Sequence, residues 1–237
     1  MGASGLANAI ARIEGRFGVH ALARGGTSER HRSELVLTTG ISLDRVLDGA
    51  LAAGEPLAFV GPPSVGKVSL ALRVVARAQA QGGMVAWIDP TASLDPLSAR
   101  RAGVDLERLI VVRARGDGVA LAAAAALRSE GFRLVVVDAG DRVLGGIDVD
   151  DVAPALAAVR GSPAALLIVA GEQGRRVAIP TFIVERVAWE TRFDRTVGWS
   201  FAVGRAHANE RAFFCLTALD APLTDLGTRG DLAEVAV

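Results

Sequence analysis

The stretch "GPPSVGKVS", Gly61–Ser69, constrains what this chain can fold into more than any other of similar length. It lies between an apolar run, "PLAFVG", and a segment with helical spacing, "KVSLALRVVARAQ". A glycine-rich turn leading from a buried strand into a helix N-terminus aims backbone N–H groups outward. The helix dipole adds positive potential there, so an anion is favoured. From Gly61 to Lys67 the phosphate-binding pattern G-x-x-x-x-G-K is complete, and the next position calls for a serine or threonine. Val68 stands there instead. The candidate nucleotide-binding residues are therefore Gly61, Ser64, Gly66, Lys67, Val68 and Ser69.

In this motif the hydroxyl is a ligand of the magnesium that bridges the β- and γ-phosphates. Valine has nearly the shape of threonine and supplies no oxygen. Ser69 is no substitute, because successive helical residues point about 100° apart. The substitution is expected to harm catalysis more than phosphate binding. Of the 26 lysines and arginines, Lys67 is the only lysine. Arginine is a bulky planar fork, whereas lysine is a slim point charge that fits beside phosphates. Lys67 is either a chance survivor or a residue kept for phosphate contact or loop structure. A second acidic element follows: "LVVVDAG" ends an apolar run on Asp138, where a carboxylate would hold magnesium through water. A turn or helix-capping aspartate is the alternative.

Bulk properties exclude several classes. A chain of 237 residues suits one good-sized domain with extra elements at its ends. Formal net charge is zero, so no bulk signature of nucleic-acid binding is present. The single cysteine, Cys215, excludes an internal disulfide and fits a reducing cytoplasm. The longest apolar stretch, "GVALAAAAAL", is too short for a bilayer, and Arg12, Glu14 and Arg16 interrupt any signal-peptide core. The expectation is a soluble, cytoplasmic chain with no membrane contact.

Periodicity gives the organisation. Leu6, Ile10, Ile13 and Phe17 share a helix face, and "VHALARGG" follows as a short strand. Residues 27–35 form a polar linker, and "SLDRVLDGAL" a short helix capped by Ser42. Apolar runs then alternate with helical segments through "AALLIVAG", which predicts a mostly parallel sheet covered by helices. After Gly171, "TFIVERVAWETRF", "VGWSFAVGRAH" and "RAFFCLTAL" predict antiparallel strands with turns at "DRT" and "HANE". The division expected is 1–40 as a helix–strand contact segment and linker, 41–220 as the α/β core, and 221–237 as a loose tail.

The segments "LANAIARIEGRFGVHALARGG", "TTGISLDRVLDGAL", "GPPSVGKVSLAL", "AQAQGGMVAWIDPTASLDPLSARRAGVD" and "LVVVDAG" resemble, in order, bacterial RecA recombinases. The resemblance runs from Leu6 to Gly171 and thins afterwards. It implies a RecA-like P-loop core with Asp138 as the Walker B carboxylate. It also implies a protomer-contact segment, Leu6–Gly26. Departures fall at functional places. The family's water-activating glutamate is replaced by Thr91, which cannot act as a base near neutral pH. Its adenine-stacking tyrosine is Ser98, and the chain contains no tyrosine. Lysines that reach across from the next protomer are missing, with Arg205 as the nearest candidate. The first DNA loop carries Asp141, Asp148, Asp150 and Asp151 against Arg142, and such a segment repels phosphates. The second is short, with Arg175 and Arg176 either touching phosphate or simply solvated. The family's C-terminal domain is not expected here.

This pattern of losses is similar to ImuA proteins, RecA-like members of bacterial mutagenesis cassettes. That resemblance implies an accessory role in SOS mutagenesis and translesion synthesis. It implies contacts with RecA and with ImuB and an error-prone polymerase, and self-association through Leu6–Gly26. It implies weak or absent DNA binding, and nucleoid association only through partners. Trp189, Trp199 and Phe213 are candidate contact anchors, core packing being the alternative. No cofactor is required, although weak ATP, ADP or phosphate binding is compatible with the loop. The balance points to a pseudo-ATPase. The alternative is a slow ATPase or ATP-gated repair switch using Lys67 and Asp138.

Overall fold

The computed structural model describes residues 37–140, 152–172, 179–205, 208–217 and 223–229. Of the two units into which the chain divides, Met1–Glu34 and Leu35–Val237, these residues belong to the second. The expected helix and strand of Leu6–Gly26 and the linker at 27–35 lie outside the described residues. So do the acidic stretch at 141–151 and the Arg175–Arg176 pair.

Five apolar runs become strands, four of them largely buried and β3 partly exposed: β1 Pro56–Val60, β2 Met84–Ile88, β3 Leu109–Val112, β4 Phe132–Gly140 and β5 Ala165–Ala170. They are followed by β6 Thr181–Arg192, β7 Arg195–Arg205, β8 Arg211–Thr217 and β9 Thr224–Arg229. One sheet holds all nine in the order β3-β2-β4-β5-β1-β6-β7-β8-β9. Pairing is parallel from β3 to β6 and antiparallel from β6 to β9.

The strand period of two splits each run between two cores. Leu57, Phe59, Val85 and Trp87 face one side, packed with Leu70, Val74 and Val75 of α2, Lys67–Ala80. Ala58, Val60, Ala86 and Ile88 face the other, packed with Val119, Ala123 and Leu127 of α4, Gly118–Arg128, and Val159 of α5, Ala153–Val159. A strand buried on both faces must be apolar at every position, which is why these runs show no polar alternation. Fully burying a side chain of the size of Phe59 or Leu57 contributes about 1.5–3 kcal/mol, so the central strands fix the sheet on which the loop is mounted. Two shorter helices, α1 Leu43–Leu47 and α3 Pro96–Arg101, lie before β1 and after β2. Among the described residues no helix is long and apolar enough to cross a membrane.

Three expectations are corrected. Ser42 occupies the N-cap position of α1 but makes no capping bond. Its N–H donates to Asp225 Oδ2 at 2.6 Å and its hydroxyl to Oδ1. Asp44, in the first turn, instead ties down the segment before the helix: its carboxylate accepts from Thr39 N and Gly40 N at 2.6 and 2.8 Å. The loose-tail reading of 221–237 fails for Thr224–Arg229, which forms β9 on β8. Its order comes from ladder bonds and from Asp225, not from apolar periodicity. The β6–β7 turn is also tighter than "DRT" suggested: Phe193 and Asp194 alone form it, both left-handed at φ 50 and 58.

Candidate nucleotide-binding site

The loop follows β1 directly and ends at the first residue of α2. Gly61 is required by space: a Cβ there would lie 2.1 Å from the Val184 carbonyl oxygen on β6. Gly66 is required by conformation and space together, with φ at +115 and a virtual Cβ 2.7 Å from the Phe201 ring. Ser64 is also left-handed, at φ 56. Such backbone persists only where surrounding structure holds it.

Here the holding groups can be named. The buried Lys67 Nζ donates to Gly61 O at 2.8 Å and to Pro62 O. Arg186 on β6 donates from Nη2 to Ser64 O, and Trp199 on β7 from Nε1 to Val65 O, each at 3.1 Å. In a trans peptide the carbonyl and the following N–H point opposite ways. Drawing the Ser64 and Val65 carbonyls toward β6–β7 therefore turns the N–H groups of Val65 and Gly66 the other way. With the N–H groups of the first turn of α2, for which the helix itself supplies no carbonyl partner, these make an anion-receiving concavity. Pro62 and Pro63 contribute no donor.

The strand-end carboxylates form the second half. Ile88 pairs with Val137, so the next residues, Asp89 and Asp138, stand side by side where β2 and β4 leave the core. Asp89 is fully buried and Asp138 nearly so. Asp89 accepts from the N–H groups of Ser93 and Leu94 at 3.0 and 3.1 Å, which fixes the turn "PTASL". Asp138 accepts from Gly140 N at 3.2 Å and from the Ser93 hydroxyl at 3.3 Å. Burial raises the Asp138 pKa above the usual carboxylate value; the Gly140 N–H bond opposes this, Asp89 adds to it, and Ser93 and Lys67 lower it. Thr91 is half-buried and donates to Ser93 Oγ at 3.1 Å.

This donor set does not fit a magnesium ion bridging two phosphates. Among the described residues no group of three or more His, Cys, Asp or Glu is arranged to hold a metal. Val68 presents methyl groups, 37% exposed, where the hydroxyl ligand belongs. Both Asp138 oxygens already accept protein donors, Oδ1 from Gly140 N and Oδ2 from the Ser93 hydroxyl.

The structure thus brings Gly61, Ser64, Gly66 and Lys67 together in one loop, with Asp138 close enough to feel the Lys67 charge. Ser69 is half-buried in the first turn of α2. Ser98 is employed elsewhere: its hydroxyl and N–H donate to Asp95 Oδ2 at 2.6 and 2.9 Å, capping α3. Arg205 donates to Leu47 O at 3.3 Å and its guanidinium stands 5.5 Å from the Phe182 ring. Of the candidate anchors, Phe213 is core, Trp199 is half-buried, and Trp189 is 56% exposed. Sequence reasoning did not single out Asp89, Ser93 or Arg186. Asp89 was findable, since it ends "MVAWID" just as Asp138 ends "LVVVD". Arg186 carries no local signal, because its bond to the loop spans 122 positions.

A family model described as the RecA N-terminal domain matches residues 4–151. Among curated relatives, the chain is similar to Protein RecA of Synechocystis, 37% identical over 131 residues, 55% of this chain and 37% of the relative. It is similar to Protein RecA of Leifsonia xyli, 40% identical over 135 residues, 56% of this chain and 38% of the relative. It is 35% identical to Protein RecA of Thermus thermophilus over 147 residues, 61% of this chain and 43% of the relative. The chain thus spans well under half the length of the relatives it matches.

Proposed function

The chain belongs to the RecA family, and from that premise we propose that it is a non-recombinase accessory protein that acts through protein contacts. It keeps a phosphate cradle without hydrolysis. One observation supports the reading: the residues of the loop are held in a phosphate-cradle geometry, while Val68 and Thr91 stand where the family's metal and water chemistry needs a hydroxyl ligand and a glutamate. The loop's carbonyls are tied back by Lys67, Arg186 and Trp199, but Val68 offers no oxygen and Thr91 is a hydroxyl bonded to another hydroxyl. A threonine hydroxyl is far too weak a base to activate water at neutral pH.

The specific setting we infer is that of ImuA-like proteins: DNA-damage-induced mutagenesis in the bacterial cytoplasm, with RecA, ImuB and an error-prone polymerase as partners. Strand β3 supports a role in protein contact. Among the described residues it lies at the sheet's edge, with Ile110 and Val111 45% and 39% exposed, and an edge strand can accept a further strand. The zero net charge is consistent with weak or absent DNA binding. The test is a strand-exchange reaction by RecA with increasing amounts of this protein. A dose-dependent change in rate supports the reading; no binding to RecA and no change in rate counts against it.

A further inference from the structure

We propose that the cavity between α1 and the β7–β8 turn is a second ligand site, one that takes a zwitterion of about the size of a dipeptide. It is separate from the phosphate loop and does not rest on it. β7 runs antiparallel to β6, so Arg205 at its end stands level with Phe182 near the start of β6. The residues that hold the loop, Arg186 and Trp199, lie further along the same hairpin.

The cavity measures about 380 Å³ and is lined by Arg45, Val46, Asp48, Arg205, Ala208 and Glu210. That volume lies at the small end of the range for ligand pockets. The lining comes from two distant parts of the chain. Asp48 is left-handed at φ 48 and its N–H donates to Asp44 O, which ends α1 at the cavity. Ala208 N donates to Arg205 O at 3.1 Å, shaping the turn that leads to Glu210. Both guanidiniums are positioned by the rest of the fold. Arg205 Nη2 donates to Leu47 O at 3.3 Å, and its guanidinium stands 5.5 Å from the Phe182 ring. Arg45 Nη1 donates to Thr228 Oγ1 on β9 at 3.0 Å. Groups fixed in advance lose less freedom when a ligand arrives.

The charge inventory selects the ligand. Both arginine bonds end on neutral oxygens, and a guanidinium has five N–H donors, so donors are left on each. Among the described residues, the side chains of Asp48 and Glu210 accept no protein hydrogen bond, and no ion pair joins any two of the four charged groups. Two cations and two anions therefore share one rim. A purely anionic ligand would meet both carboxylates, and a purely cationic one both guanidiniums, and like charges repel. A zwitterion satisfies the two sets together. Its carboxylate receives charge-assisted bonds from Arg45 and Arg205, and its ammonium donates to Asp48 and Glu210. Val46 and Ala208 supply the apolar part of the wall, which suits small apolar side chains.

The experiment is an amide NMR titration of the full chain with dialanine, with N-acetyl-dialanine, which lacks the ammonium, and with dialanine amide, which lacks the carboxylate. Dialanine is expected to shift the amides of Val46, Asp48, Ala208 and Glu210 saturably, and each blocked form to bind about tenfold more weakly. Arg45→Gln should erase the preference for dialanine over its amide, and Glu210→Gln the preference over the acetylated form. Both side chains are exposed, so the Tm of each variant should match that of the parent. No saturable shift at these amides overturns the proposal, as does equal affinity for the three peptides. A variant that lowers Tm and weakens all three peptides equally also overturns it, because the residue would then be structural.

Discussion

Gly66→Ala tests the account of the loop with the fewest assumptions. The native φ of +115 is foreign to residues bearing a Cβ, and holding alanine there costs about 1–3 kcal/mol. The added carbon would also lie 2.7, 2.9 and 3.0 Å from three atoms of the Phe201 ring. That ring is fully buried and packed against Phe214 at a centroid distance of 5.5 Å, so it has little room to retreat. Overpacking of this kind costs about 1–3 kcal/mol. The sum, about 2–6 kcal/mol, is a large part of the 5–15 kcal/mol by which domains of this size are usually stable. Urea unfolding followed by far-UV circular dichroism measures it as a lower midpoint at unchanged slope. The steric part separates from the backbone part in a double-mutant cycle. In a Phe201→Leu background the ring edge is gone, and Gly66→Ala should cost about 1–2 kcal/mol less. A loss below about 0.5 kcal/mol, or no coupling between the two sites, would refute the close fit of loop to sheet.

Two further predictions concern the charged groups. Lys67→Arg should destabilise by about 1–3 kcal/mol, since a planar fork cannot serve both carbonyls from a buried position; urea unfolding measures this, and dialysis with labelled pyrophosphate should show binding lost. For Asp138, burial raises the folded pKa above 3.8, so its contribution to stability is complete below that value and is lost as pH rises through the folded pKa. Unfolding curves between pH 3 and 7 should show Asp138→Asn flattening this decline and leaving the protein more stable than the parent at neutral pH.

What could be read in advance follows the range of the interaction concerned. The central strands were legible because burial on both faces forces continuous apolar runs, as in "PLAFV" and "ALLIVA". The loop was legible because its glycines and lysine are local requirements of one turn. Ser42 misled because an aspartate 183 positions away competes for its hydroxyl and N–H. Strand β9 was illegible because "TDLGTR" has no apolar period and contains Gly227 at φ +92; only the β8 edge gives it shape. The loss of the metal ligand was visible in Val68, whereas the tie-backs from Arg186 and Trp199 exist only once β6 and β7 fold beside β1.

The central claim is a loop that still receives phosphate in a site that no longer hydrolyses it. Incubating the full chain with stoichiometric γ-labelled ATP, with and without single-stranded DNA, tests both halves in one vessel. The account predicts a ligand-dependent rise in Tm and recovery of intact ATP after long incubation. Release of labelled phosphate that disappears in Lys67→Ala would contradict it, because the site would then be a working, if slow, ATPase.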